Sequence, residues 1–110
     1  MYDPNKIYAK LIEIGDIWAD KKAAFQLLDD MTKTILAERI SSMEGGSMAE
    51  RTEKARADKM YIAHLRGLGE ARKEYLIAEV KWKSVQMYAD AKRTEQSTRR
   101  AEMSNLGGVK

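Results

Sequence analysis

The segment Ser41-Ser42-Met43-Glu44-Gly45-Gly46-Ser47-Met48-Ala49-Glu50 decides how this chain folds. Two adjacent glycines let a backbone leave a helix and reverse, because glycine reaches left-handed φ without a Cβ clash. Ser47 followed by Glu50 matches the capping box, in which a serine side chain and a glutamate three residues on satisfy free backbone amides. One helix must therefore arrive at about Ser42 and another must leave from about Met48, which predicts a helical hairpin with its turn over residues 43–47.

Upstream, Asp3 before Pro4 is a helix-start signal: aspartate accepts from free amides, and proline tolerates the first helical position. From there Ile7, Leu11, Ile14, Trp18, Phe25, Leu28 and Ile35 recur at four-then-three spacing, with a step skipped at Lys21 and another between Leu28 and Ile35. That is a heptad-like apolar seam. Leu27, Met31, Leu36 and Ile40 widen it, as happens where a helix meets more than one neighbour. Helix 1 is expected over residues 4–42.

Downstream, Tyr61, Leu65, Leu68, Ala71, Tyr75, Ala78, Trp82, Val85 and Ala89 form a second seam in which bulky side chains alternate with small ones. Gly67 and Gly69 interrupt it, and each costs about 1 kcal/mol relative to alanine inside a helix. The seam holds phase across them and no proline enforces a stop. Helix 2 is therefore expected over residues 48–103, continuous or kinked at Gly67–Gly69, the alternative being a break into 48–66 and 70–103. Residues 1–104 form one hairpin domain and 105–110 a frayed tail. Laid antiparallel, helix 1 covers the second arm to residues 85–90, and everything past Ala91 projects.

Composition agrees with an all-α, coiled-coil-like chain. Of 110 residues, 44% are hydrophobic and 34% charged, and a single proline is present. The absence of cysteine excludes disulfides, thiolate metal sites and cysteine nucleophiles. The start Met1-Tyr2-Asp3-Pro4-Asn5 lacks the basic opening and apolar run of a secretory signal, and nowhere do about 18 apolar residues run together. A cytoplasmic protein away from membranes is expected. Charge divides unevenly: residues 1–46 carry six Lys/Arg against eight Asp/Glu, or −2, and residues 47–110 carry fourteen against nine, or +5. Such asymmetry guides self-association as readily as it attracts a polyanion.

Candidate sites divide between a solvated helix surface and a binding surface. Glu13, Asp16 and Asp20, with Asp29 and Asp30, have spacing that a divalent ion could use, but read as a solvated acidic face. His64 is the sole histidine, so a multi-histidine site is excluded, and a place at the seam or its border is expected. No phosphate-loop or nucleophile-elbow pattern occurs; no enzyme activity, cofactor, metal or small-molecule substrate is expected. Trp18, Phe25, Tyr75 and Trp82 fall in phase with the aliphatic seams and are expected to be core. The basic residues Arg51, Lys54, Arg66, Arg72, Lys73, Lys92, Arg93, Arg99 and Arg100 are the candidate contacts to a partner or to phosphates.

Lys6-Ile7-Tyr8-Ala9-Lys10-Leu11, Asp16-Ile17-Trp18-Ala19-Asp20 and the closing run Arg93-Thr94-Glu95-Gln96-Ser97-Thr98-Arg99-Arg100-Ala101-Glu102-Met103 resemble small uncharacterised helical proteins of phage and prophage early-gene clusters. Such clusters carry DNA recombination functions. The resemblance implies an accessory protein that binds a host or phage protein, and it carries over no catalytic residue.

Two lone helices bury one face each, so self-association is expected, most simply a two-fold dimer of hairpins forming a four-helix bundle. The function expected is that of a non-catalytic protein–protein interaction module. Its alternative is a nucleic-acid-binding accessory that uses the basic second helix and its C-terminal end.

Overall fold

A computed structural model describes residues 3–108 as helices α1 (Pro4–Ser42), α2 (Met48–Arg56) and α3 (Lys59–Gly108), with no strand among them. Local chemistry sets each boundary. The Asp3 side chain accepts from Asn5 N–H at 3.0 Å and Lys6 N–H at 3.4 Å, and Pro4 takes the first turn. At the far end Gly45 and Gly46 adopt φ of 70° and 79°, left-handed values that a β-carbon would strain. Ser47 Oγ accepts from Glu50 N–H at 3.2 Å and starts α2. The Glu50 carboxylate folds back over Gly46, where an added Cβ would meet its Oε2 at 2.6 Å.

The second arm is not one helix from Met48. It breaks at Ala57–Asp58, about ten residues before the glycines, and runs without interruption through Gly67 and Gly69. Asp58 is the cause. Its Oδ1 accepts from Met60 N–H at 2.8 Å and its carbonyl accepts from Ile62 N–H at 3.0 Å, so it caps α3. Arg39, at the end of α1, donates from Nη2 to Asp58 Oδ2 at 3.2 Å and ties the cap to the first arm. The glycines meet no such competitor, and the helix absorbs their cost. At the other end α3 continues through Gly108, past the expected stop at residue 103 and through most of the expected tail; residues 109–110 lie outside the described ones.

The early break resets the pairing of the arms. Cross-links run Lys21–Glu74, Thr32–His64 and Arg39–Asp58, so α1 and α3 are antiparallel and α2 is no part of the paired arm. With that segment removed from the pairing, the start of α1 slides towards the end of α3. Ala89 is buried, and Pro4 lies beside Gln96 and Arg100. The overhang therefore begins near Arg100, not at Ala91 as a hairpin pivoting on Gly45–Gly46 requires. The short α2 folds against both arms and buries Ala55 completely.

The seam itself is a strict heptad on both helices. On α1 the seam positions are Ile7, Leu11, Ile14, Trp18, Lys21, Phe25, Leu28, Thr32, Ile35 and Arg39, with Gly15, Lys22, Leu36 and Ile40 shielded beside them. On α3 they are Tyr61, His64, Leu68, Ala71, Tyr75, Ala78, Trp82, Val85, Ala89, Lys92 and Gln96, with Glu79 and Glu95 shielded beside them. Lys21 keeps its place in the seam, and His64 occupies the place expected of Leu65, which is exposed. Trp18 stacks on Trp82 with centroids 6.1 Å apart, and Phe25 on Tyr75 at 5.6 Å, nearly parallel in both cases. Each such pair contributes about 0.5–1.5 kcal/mol beyond its buried area.

Candidate interaction surface

Burial in this rod is thin. Apart from Ala55, only Leu68, Ala78 and Ala89 are buried among the described residues, and no large side chain is fully withdrawn from solvent. With a cross-section of 21 × 14 Å, the molecule is two helices thick in one direction and one in the other. The heptad layers beyond the reach of α2 therefore have no third helix over their flanks.

Sequence reading of the seams passes over a second apolar row on α3. Ile62, Leu76, Val80 and Met87 fall seven, fourteen or four residues apart and all are exposed. At 100° per residue this row lies on the side of α3 turned away from Leu68, Ala78 and Trp82. Leu76 and Ile77 are each 48% exposed and Val80 65%, in one shallow apolar patch with Gly69, Arg72, Lys73 and Lys81 around it. An added Cβ at Gly69 meets nothing within 4 Å, so the N-terminal end of the patch is open and another backbone could approach closely there. The signal in the sequence was a 14-residue repeat of aliphatic residues out of phase with the seam.

The candidate basic residues do not converge. Arg51 and Lys54 sit on α2, with Arg51 half-buried and its Nε shielded from solvent without a hydrogen-bond partner. Arg72 places its guanidinium 5.3 Å from the centre of the Phe25 ring, a cation–π contact that seals one flank of the seam. Arg66 and Lys73 are exposed on the outer side of α3. Towards the end of that helix, Lys92 pairs with Glu95 at 3.3 Å and lies over the Tyr88 ring. Arg99 pairs with Glu95 at 2.8 Å, Arg93 with Asp90, and Arg100 donates to Ser97 Oγ at 3.4 Å. Most of the terminal basic charge is thus already engaged within the helix.

Polar groups inside the seam are few. His64 Nε2 and Thr32 Oγ1 are 2.8 Å apart, and the Thr32 hydroxyl donates to the Leu28 carbonyl at 3.2 Å, so the imidazole N–H is the donor between them. Trp18 Nε1 is shielded from solvent without a hydrogen-bond partner. Among the described residues no three acidic or histidine side chains close on one another as ion ligands, and no helix is long and apolar enough to cross a membrane. Lys10 draws Glu13 to 3.7 Å, and Asp16, Asp20 and Asp30 face solvent. The proton affinity of Asp58 is clearly displaced. Burial works to raise its pKa, but hydrogen bonds from Met60 N–H and Arg39, and the charge of Arg39, outweigh it and hold the carboxyl below its ordinary value.

Compared with protein-family models, curated proteins and solved structures, the chain matches none of them.

Proposed function

We propose that this chain is a non-catalytic helical interaction module that binds a protein partner along the outward face of α3. The observation that carries this reading is the exposed patch of Leu76, Ile77 and Val80 on a helix whose other side is already packed. An apolar row inside a charged rim is what a partner helix covers, and a rod this thin gains burial only from outside itself. The resemblance to phage early-gene proteins adds that the partner is a host or phage protein in the cytoplasm, with a role in DNA recombination or in modulating a host factor.

Affinity capture with immobilised wild-type chain and with a Leu76→Glu/Val80→Glu variant tests the reading in extract of the cells that make the protein. Polypeptides retained by the wild type and lost with the variant support it; identical sets sink it. Nucleic acid is the rival occupant suggested by charge alone. Single- and double-stranded oligonucleotides titrated over a salt series decide that point, because phosphate contacts release counterions. A steep negative salt slope that flattens in Arg99→Ala/Arg100→Ala would move the function to nucleic-acid binding.

A further inference from the structure

The two outward faces of the rod carry opposite charge, and the packing of the hairpin is what sorts it. On α1 most bases are held at the seam: Lys21 to Glu74, Arg39 to Asp58, Lys22 over the Trp18 ring of its own helix 5.0 Å from its centre, and Lys6 and Lys10 beside the cleft at Val85, while Lys33 stays exposed on the outer side. Left on the far side, in phase at 100° per residue, are Asp16, Asp20, Asp30 and Glu38 among the exposed apolar Ile12 and Leu27. On α3 the sorting is reversed. Glu74 and Glu79 turn to Lys21 and to the Tyr75 hydroxyl, which leaves Glu70 as an exposed acid beside Arg66, Lys73 and Lys81, and among the described residues these three bases form no ion pair.

We infer that the partner seated on the outer face of α3 is a second copy of this chain, which lays the acidic outer face of its α1 across the Leu76–Ile77–Val80 patch. The inference rests on the interaction-module reading and names the occupant of that face. Both halves of the contact have an apolar row within a charged rim, four acids against Lys33 on α1 and three bases against Glu70 on α3, and the net signs are complementary. A two-fold contact through α3 alone would set Arg66, Lys73 and Lys81 of one copy against the same residues of the other, which electrostatics opposes. Because the acidic and basic faces lie on opposite sides of one rod, each copy offers both halves of the joint at once. The contact is heterologous, and copies add side by side instead of closing as a pair.

Sedimentation velocity of the full chain, with helicity followed by circular dichroism, tests this. The mass should climb with concentration past two copies, with at least a tenfold weakening of association between about 50 and about 500 mM salt as screening shortens. Arg66→Glu/Lys73→Glu and Asp16→Lys/Asp20→Lys, all at exposed positions, should each stay helical and lose association at least tenfold when alone. Mixed together they should associate again, since every joint in an alternating array regains opposite signs. A wild type that stays near 12.5 kDa throughout, a mass that stops at two copies, an α1-reversed variant that associates like the wild type, or a mixture that remains apart would each overturn the inference. None of these results decides the capture experiment with Leu76→Glu/Val80→Glu, so the broader reading stands or falls separately.

Discussion

Arg39 and Asp58, nineteen residues apart in sequence, hold the two ends of the turn region together: Nη2 donates to Oδ2 at 3.2 Å, and Nε stands 3.0 Å from Oδ1 without the alignment of a hydrogen bond. One carboxylate thereby caps α3 and receives the last base of α1. Its pKa in the folded chain lies below the ordinary 3.8, so the folded state binds that proton more weakly than the unfolded state does. The stability it contributes is complete above 3.8 and disappears as pH falls through the folded value. Thermal denaturation over a pH series should show the wild type more stable than Asp58→Asn near neutrality, with the two converging in acid. Parallel curves down to the most acidic point would show that the charge on Asp58 is not what the fold uses.

Gly67 and Gly69 lie in the interior of α3 with open space where a Cβ would go. Replacing either with alanine should stabilise the chain by about 0.5–1 kcal/mol in chemical denaturation, through helix propensity and a less flexible unfolded state. Gly15, also mid-helix, should behave in the opposite way. A Cβ there would sit 2.9 Å from Cζ3 of Trp82, and the ring cannot tilt freely because Trp18 stacks on it. Overpacking of about 1–3 kcal/mol exceeds the propensity gain, so Gly15→Ala should destabilise. If Gly15→Ala and Gly67→Ala move stability in the same direction, the Trp82 ring does not press on Gly15.

These glycines also mark where sequence reading reached its limit. The hairpin, its all-α class, the bounds of α1 and the Gly45–Gly46 turn follow from local signals that no tertiary contact overrides. The break at Asp58 was hidden because Ala57-Asp58-Lys59-Met60 contains neither glycine nor proline, and the Arg39 contact that holds the capping aspartate comes from the other arm. That break sets the register of the arms and hence the overhang. The outer apolar row of α3 was legible in principle at Ile62, Leu76, Val80 and Met87, but a helix with apolar residues on both sides shows one clear period only after its partner is known. The candidate bases were legible as residues and not as a site, since pairing with Asp90 and Glu95 depends on side-chain geometry.

Thr32 and His64 form a polar layer in an otherwise apolar stretch of seam. Thr32→Val keeps the shape, and it leaves the imidazole N–H facing hydrocarbon. It should cost about 1–2 kcal/mol, the penalty of a partly buried donor without an acceptor. Adding His64→Leu to that variant should recover most of the loss or more, because both polar partners are then gone and the heptad gains an aliphatic layer. A double-mutant cycle in urea reads this directly. Simple additivity of the two single changes would mean that the 2.8 Å contact carries no coupling.

The inner and outer rows of α3 make contrasting predictions from neighbouring positions. Trp82 stacks on Trp18 and fills the space over Gly15, so Trp82→Ala removes a ring that the opposite helix cannot replace. Full burial would put the cost at about 3–5 kcal/mol, and a half-exposed ring should lose about 2–3. Val80, two residues earlier, is 65% exposed and points the other way. Under conditions where the chain is monomeric, Val80→Glu should change stability by no more than about 0.5 kcal/mol, since it touches no packed neighbour. The contrast is worth testing because the outer face can bind a partner only if the fold does not already use it. A Val80→Glu variant as damaged as Trp82→Ala would mean that α3 is rotated in its groove, with its supposed outer row packed against α1 and no free surface to offer.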